Sequence, residues 1–362
     1  MRFLFKTDYA QDVRLFRHGG QVFWYALLAV ALLGLPLVLP EAWREYFMGQ
    51  MVFIWIYSIV GLGLMLLIGF TGQISLGHAA FLAVGAYTEA LLASKGVPFV
   101  VSLSAAALLS AVAGIIVGLP ALRLKGIYLA IATISFGFIV EEIVTRWESV
   151  TGGNSGKTVS AIDLFGYRID DDIKFYYVAL AILCIVMLGI VNLMRSPTGR
   201  AFVAIRDSEV SAQSMGINLA YYKTVSFALS AALTGIAGAL YAHKISFVSP
   251  EQFNLLVSIE LATIVFIGGL GSFHGAVFGA AFIIFLPQAI GLAKDILPAS
   301  IGAQPGLKPT VFGLILIAFL LFEPLGIYGR WLKIRTYFSL FPFYRRGMFR
   351  RQKSYTKSDR MK

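Results

Sequence analysis

Ten apolar runs divide this chain, at about residues 21–39, 51–69, 75–94, 99–119, 126–145, 175–194, 224–242, 255–270, 275–293 and 309–325. About 20 apolar residues of helix cross a bilayer core, where only helices and closed barrels satisfy their own backbone polar groups. Runs of this length and number predict an all-α polytopic membrane protein of about ten transmembrane helices, eight if two weak runs merge. The composition agrees, since 58% of the 362 residues are apolar and only 14% are charged. So few charges cannot coat the soluble domains that a chain of this length would otherwise make. A cytosolic enzyme, a secreted disulfide scaffold and a disordered regulator are thereby excluded. The runs at 75–94, 255–270 and 275–293 are glycine-rich, short or interrupted, so broken or re-entrant helices are expected there. Cys184 is the lone cysteine and reads as a small buried side chain. The four histidines are scattered, and no metal site is expected.

The net charge of +11 is concentrated at the C-terminus, where residues 328–362 hold eleven basic residues and one acid. A basic tail after an apolar helix reads as a cytoplasmic flank facing anionic membrane lipids, and no base-reading motif points to nucleic acid. With ten spans and the N-terminus inside, 21 basic residues fall on the inner side and five in short outer loops. That asymmetry predicts cytoplasmic N- and C-termini. The organisation expected is a cytoplasmic arm at 1–20, a membrane domain at 21–325 with an external loop at 146–174, and a basic cytoplasmic tail at 326–362. Glycines at 114 and 118 and at 275 and 279 are spaced for close helix packing. The run Thr151-Gly-Gly-Asn-Ser-Gly-Lys-Thr158 imitates a phosphate-binding loop, but Thr151 stands where that motif needs its first glycine and no strand precedes it. A turn-rich loop explains its glycines.

Between the sixth and seventh runs lies the longest polar interruption before the tail, residues 195–223. Pro197 and Gly199 separate it from the preceding span. From Arg200 to Met215 there is no glycine or proline, and Phe202, Ile205 and Val210 recur near helical spacing against Arg206, Asp207 and Glu209. The pattern predicts one short amphipathic helix that stops at Gly216. Such a helix either docks another protein or lies on the membrane surface.

Several stretches resemble one known family. Gly199-Arg200-Ala-Phe-Val-Ala204-Ile205-Arg206-Asp207 through Met215-Gly216-Ile217-Asn218 is similar to the coupling loop of the permeases of branched-chain amino-acid ABC importers. The similarity continues in Phe227–Ala242, Gly72–Phe81, Leu124–Ala130, Thr151–Gly153 and Phe266–Gly271, in order over about residues 60 to 290. The resemblance implies an importer permease fold in a bacterial inner membrane, with no catalytic residues and no cofactor of its own. ATP is then bound by two cytosolic ATPase subunits. A second, related permease and a periplasmic or lipid-anchored substrate-binding protein complete such a machine. It also implies coupling residues at Gly199, Arg200, Ala204, Ile205, Arg206, Asp207, Glu209 and Gly216. The wider pattern places a glutamate six residues before the loop glycine, where this chain has Val210 and carries Glu209 one position earlier. Close relatives transport urea or short amides, and a self-contained, ion-driven transporter of a small metabolite is the alternative class.

Polar groups inside apolar runs cost several kcal/mol unless paired or hydrated, which makes them candidates for a translocation pathway. Glu89 and Glu260 lie within runs and read equally as pathway lining or as helix-pairing residues. Gln73, Ser75 and His78 stand at the start of a glycine-rich run, as a polar gate or as caps of an irregular helix start. Glu141 and Glu142, near a helix end, read as interfacial charges.

Overall fold

The computed structural model describes residues 19–121, 124, 126–164, 167–296, 307–322 and 326–340. Residues 1–18 of the predicted arm and 341–362 of the predicted tail lie outside the described residues. Each of the ten apolar runs falls on a helix: α1 (Gly19–Val38), α2 (Glu41–Leu64), α3 (His78–Ser94), α4 (Phe99–Ala121), α5 (Ile127–Arg146), α7 (Asp172–Arg195), α10 (Leu219–Ile245), α11 (Leu255–Gly268), α12 (Phe273–Ile296) and α13 (Leu307–Phe322). Among the described residues seven helical stretches are long and apolar enough to cross a bilayer, whereas α3, at 17 residues, falls short of that length. The chain is a multi-pass helical membrane protein.

Burial separates a centre from a periphery. The stretch Trp43–Phe70 is almost wholly enclosed, and α10 is mostly so. By contrast α4, α5 and α7 turn apolar faces outward, among them Leu108, Ile116, Ile131, Phe138, Ile185 and Leu188. Such faces would be a liability in water and are the expected contact with lipid tails. Cys184 is exposed on the outward part of α7 beside Ile185, contrary to its reading as a buried side chain. Helix periodicity alone does not separate a lipid-facing stripe from a core-facing one, since both are apolar.

The central helices meet through glycine. A Cβ at Gly85 of α3 would stand 2.2 Å from the Gly235 carbonyl oxygen of α10, and one at Gly238 would stand 2.2 Å from the Leu82 oxygen. The two spaced pairs act as predicted, Gly114 and Gly118 seating α4 on α10, and Gly275 and Gly279 seating α12 on α11.

Helix α2 continues into a buried π-helix, Met65–Phe70, then breaks before α3. A second break at 269–272 separates α11 from α12. Both interruptions fall at the edges of the runs expected to be broken, whose helices α3, α11 and α12 are themselves continuous, and the π-helix ends the 51–69 run instead. On the opposite face the 146–174 loop is folded: α6 (Glu148–Thr151), a 3-10 turn at Gly153–Ser155, β1 (Lys157–Thr158), and the hairpin β2 (Ile162–Leu164) with β3 (Tyr167–Ile169). Strand β1 pairs antiparallel with β4 (Phe247–Val248), which follows α10. These short strands depart from an all-helical chain. The phosphate-loop imitation is a turn in which Gly152 and Gly156 take positive φ values of 78° and 65°. Residues 326–340, expected as tail, form a helix, α14 (Gly326–Leu340).

Candidate functional site

Two short helices occupy the interruption between α7 and α10: α8 (Pro197–Asp207) and α9 (Glu209–Ser214). The single helix expected over 200–215 is therefore corrected in two ways. It begins at Pro197, which lacks the N–H that a first helical residue leaves unpaired anyway. It breaks at Ser208, whose backbone is extended and whose hydroxyl accepts the Ser211 N–H at 3.2 Å, capping a new helix. Gly199 does not separate α8 from α7. It lets the two approach, since a Cβ there would lie 2.3 Å from Met194 Cα. Gly216 ends the segment as expected, with φ +83°.

The predicted coupling residues divide by face. Ile205 is buried with Phe202 against the bundle, and Ala204 is half-buried. Val210, grouped with them by spacing, points the other way and is 77% exposed, because the break at Ser208 turns α9 out of register. Arg200 is exposed and donates to the Arg195 carbonyl. Glu209 accepts from Lys223 at 2.5 Å, and the Lys223 side chain is only 4% exposed. Arg206 holds Asp207 through Nε and Nη2, while its Nη1 donates to the Gly69 carbonyl at 3.0 Å.

Gly69 lies in the buried π-helix and touches the second break: the Gly271 N–H donates to Met65 Sδ at 3.1 Å, and a Cβ at Gly69 would stand 2.9 Å from the Gly271 nitrogen. The Arg206 side chain also packs over Gly72 and Gly271, both with positive φ. One guanidinium thus reaches the place where both helix breaks meet. π-Turns and glycines outside the helical region are sites where a helix bends with little steric cost.

Just beyond this junction the structure brings Gln73, Ser75 and His78 together. All three are buried. Gln73 Nε2 donates to Ser226 Oγ at 2.8 Å, and its Oε1 has no partner among the described residues. His78 sits between two hydroxyls, with Ser75 Oγ 2.9 Å from Nδ1 and Ser230 Oγ 2.8 Å from Nε2. Thr133 and Ser258 accept the Leu76 and Ala79 backbone N–H groups. Three helices, α5, α10 and α11, are therefore hydrogen-bonded to one irregular helix start.

Glu89 and Glu260 do not join that cluster. Glu89 lies toward the other end of α3, where Ser102 Oγ donates to its Oε1 at 2.6 Å and His243 Nε2 stands 2.8 Å from the same oxygen. It lines a cavity of about 510 Å³ with Phe99, Ile162, Asp163, Arg168 and His243. Glu260 of α11 is half-buried, in electrostatic range of Tyr57 and Tyr241. Glu142 pairs with Arg146 at the exposed end of α5, as an interfacial charge should. Among the described residues no three His, Cys, Asp or Glu side chains gather as a metal site requires.

Sequence reading missed His243, Lys223 and the hydroxyls of α10. A signal for the last was present: Ser226, Ser230 and Thr234 recur every fourth residue and share one helix face. His243 and Lys223 carried no such pattern, since their partners lie 154 and 14 residues away.

Residues 46–320 match the family described as branched-chain amino acid transport system / permease component. The chain is 37% identical over 254 residues to the high-affinity branched-chain amino acid transport system permease protein LivM of Salmonella typhimurium, and 36% identical to that of Escherichia coli. Those alignments cover 63% of this chain and 60% of each relative's length. At 25% identity, over 70% of this chain and 75% of the relative, it is also similar to the fructose import permease protein FruG of Bifidobacterium longum. No solved structure matches the chain.

Proposed function

Because the chain belongs to the family of branched-chain amino acid transport permease components, we propose that it is the membrane-spanning permease subunit of an ATP-driven ABC importer for branched-chain or similar small amino acids. In this reading it resides in a bacterial inner membrane with both termini cytoplasmic. It works beside a second, related permease, two cytosolic ATPase subunits and a substrate-binding protein on the outer side. The chain contributes no ATPase chemistry. It contributes a conformational switch driven through residues 195–223.

The observation that carries the coupling is the contact of Arg206 with the Gly69 carbonyl. Phe202 and Ile205 anchor α8 in the bundle, while Val210 and Met215 are exposed for a partner. A partner that displaces α9 moves α8 through the short Ser208 joint, and Arg206 passes that movement to the junction of the two helix breaks. Helices are stiff and their breaks are not, so displacement is expressed at 71–77 and 269–272. The buried Lys223–Glu209 pair ties α9 to the start of α10, which packs along α3. Both routes end on the polar cluster around His78, supporting Gln73, Ser75 and His78 as positioning residues of the pathway on the ATPase side.

The test is amino-acid uptake by the full complex in liposomes. Arg206→Ala is expected to lose ATP-driven uptake while the ATPase subunits still co-purify. Uptake at the unsubstituted level, or ion-driven uptake by the lone chain, would overturn the proposal.

A further inference from the structure

The cavity beside Glu89 plays no part in coupling, and its hydrogen bonds impose a proton count. His243 Nδ1 lies 2.8 Å from the Ser160 carbonyl oxygen. A carbonyl only accepts, so Nδ1 carries a hydrogen. The other ring nitrogen, Nε2, lies 2.8 Å from Glu89 Oε1. A neutral imidazole with its hydrogen on Nδ1 presents a lone pair at Nε2, and a carboxylate presents only lone pairs. The two atoms then repel. Their contact closes when one further proton lies between them, whether it resides on Nε2 or on Oε1. Ser102 Oγ donates to the same Oε1 and cannot supply it.

Both side chains are withdrawn from solvent, Glu89 at 1% and His243 at 3% exposure, so repulsion between them would be poorly screened. Glu89 Oε2 is buried with no partner among the described residues, which leaves the carboxylate short of donors. We propose that Glu89 and His243 form a proton-binding site, loaded from the adjoining cavity, whose occupancy latches Ser160 and the β2–β3 hairpin that follows it to α3 and α10. The groups facing it are few. Helix α3 contributes Glu89, α4 contributes Phe99 and Ser102, and α10 contributes His243; Lys244 is turned away onto Asp172 of α7. The hairpin contributes the Ser160 carbonyl, Asp163 and Arg168, and the last two stand opposite each other across β2 and β3. Loading adds one proton and one positive charge, and breaks no covalent bond. Unloading leaves the ring one hydrogen, which the charged Glu89 acceptor draws to Nε2; the bare Nδ1 then faces the Ser160 carbonyl, and the hairpin is released on the face opposite α8 and α9.

The lone native cysteine makes the test direct. The full chain in lipid nanodiscs, with Cys184→Ser and a pH-insensitive fluorophore on Ala161→Cys, is probed by acrylamide quenching from about pH 5 to about pH 9, which brackets ordinary imidazole titration. The expected result is protection at low pH and its loss as pH rises. Glu89→Gln is expected to stay protected throughout, because the amide N–H donates to a neutral Nε2 without an added proton. Quenching that does not change with pH, or a Glu89→Gln chain that follows the parent, overturns the proposal. Should Glu89→Gln be quenched at every pH, nitrogen NMR of the His243 ring in the parent chain decides. A proton lost from the pair over the same range upholds the site, and a ring that does not respond overturns it.

Discussion

Two buried histidines stand near opposite ends of the α3–α10 pair, and their partners make them opposites. His78 lies between the hydroxyls of Ser75 and Ser230, each able to donate or accept, so a neutral ring is satisfied in either tautomer. His243 lies between a carbonyl and a carboxylate, neither of which donates unless a proton is added. The first environment makes a fixed joint beside the helix breaks. The second makes a joint that depends on proton supply. Residue type is the same in both; the acceptors decide.

The comparison can be broken most severely at the seam joining the two sites. Gly85→Val puts side-chain carbon into the Gly235 backbone, which cannot yield as a flexible side chain would. Overpacking costs about 1–3 kcal/mol and occasionally more, and here the expected outcome is loss of a monodisperse folded chain in detergent, read by size-exclusion chromatography. His78→Leu is next. It strands two buried hydroxyls, at about 1–3 kcal/mol each where they find no other partner, and should lower the thermal midpoint at every pH. A midpoint that falls only at acid pH would show that His78 also depends on added protons. Ser230→Ala removes one interhelical hydrogen bond, and such bonds in membranes average about 0.6 kcal/mol, so a shift of only a degree or two is expected. Val210→Ser is the smallest for stability, within about 0.5 kcal/mol. It should nonetheless weaken co-purification of the ATPase subunits, which separates docking from folding.

Much of the helical framework was legible because burial in lipid or protein demands apolar runs of a minimum length. Every run lies on a helix, and the irregular ones flank the breaks. Boundaries moved where polar residues begin a helix: α2 starts at Glu41, ten residues before its apolar run, because helix propensity needs no hydrophobicity. The break at Ser208 was missed since serine serves equally in helix and cap, and only its extended backbone, with φ −163°, distinguishes them. The pairing of Glu89 with His243 joins residues 154 apart in sequence and has no local pattern. The grip of Arg206 on Gly69 was hidden because a backbone carbonyl leaves no mark in sequence. Candidate residues could thus be named from the chain, but their partners required the fold.

The most direct measurement of the coupling account is the distance between spin labels at Ile74, beside the first break, and Leu188, on the outward face of α7, in the assembled complex on a Cys184→Ser background. Adding ATP should shift that distance distribution, and Arg206→Ala should abolish the shift while leaving the complex intact. Identical distributions with and without ATP, or a shift undiminished in Arg206→Ala, would contradict it.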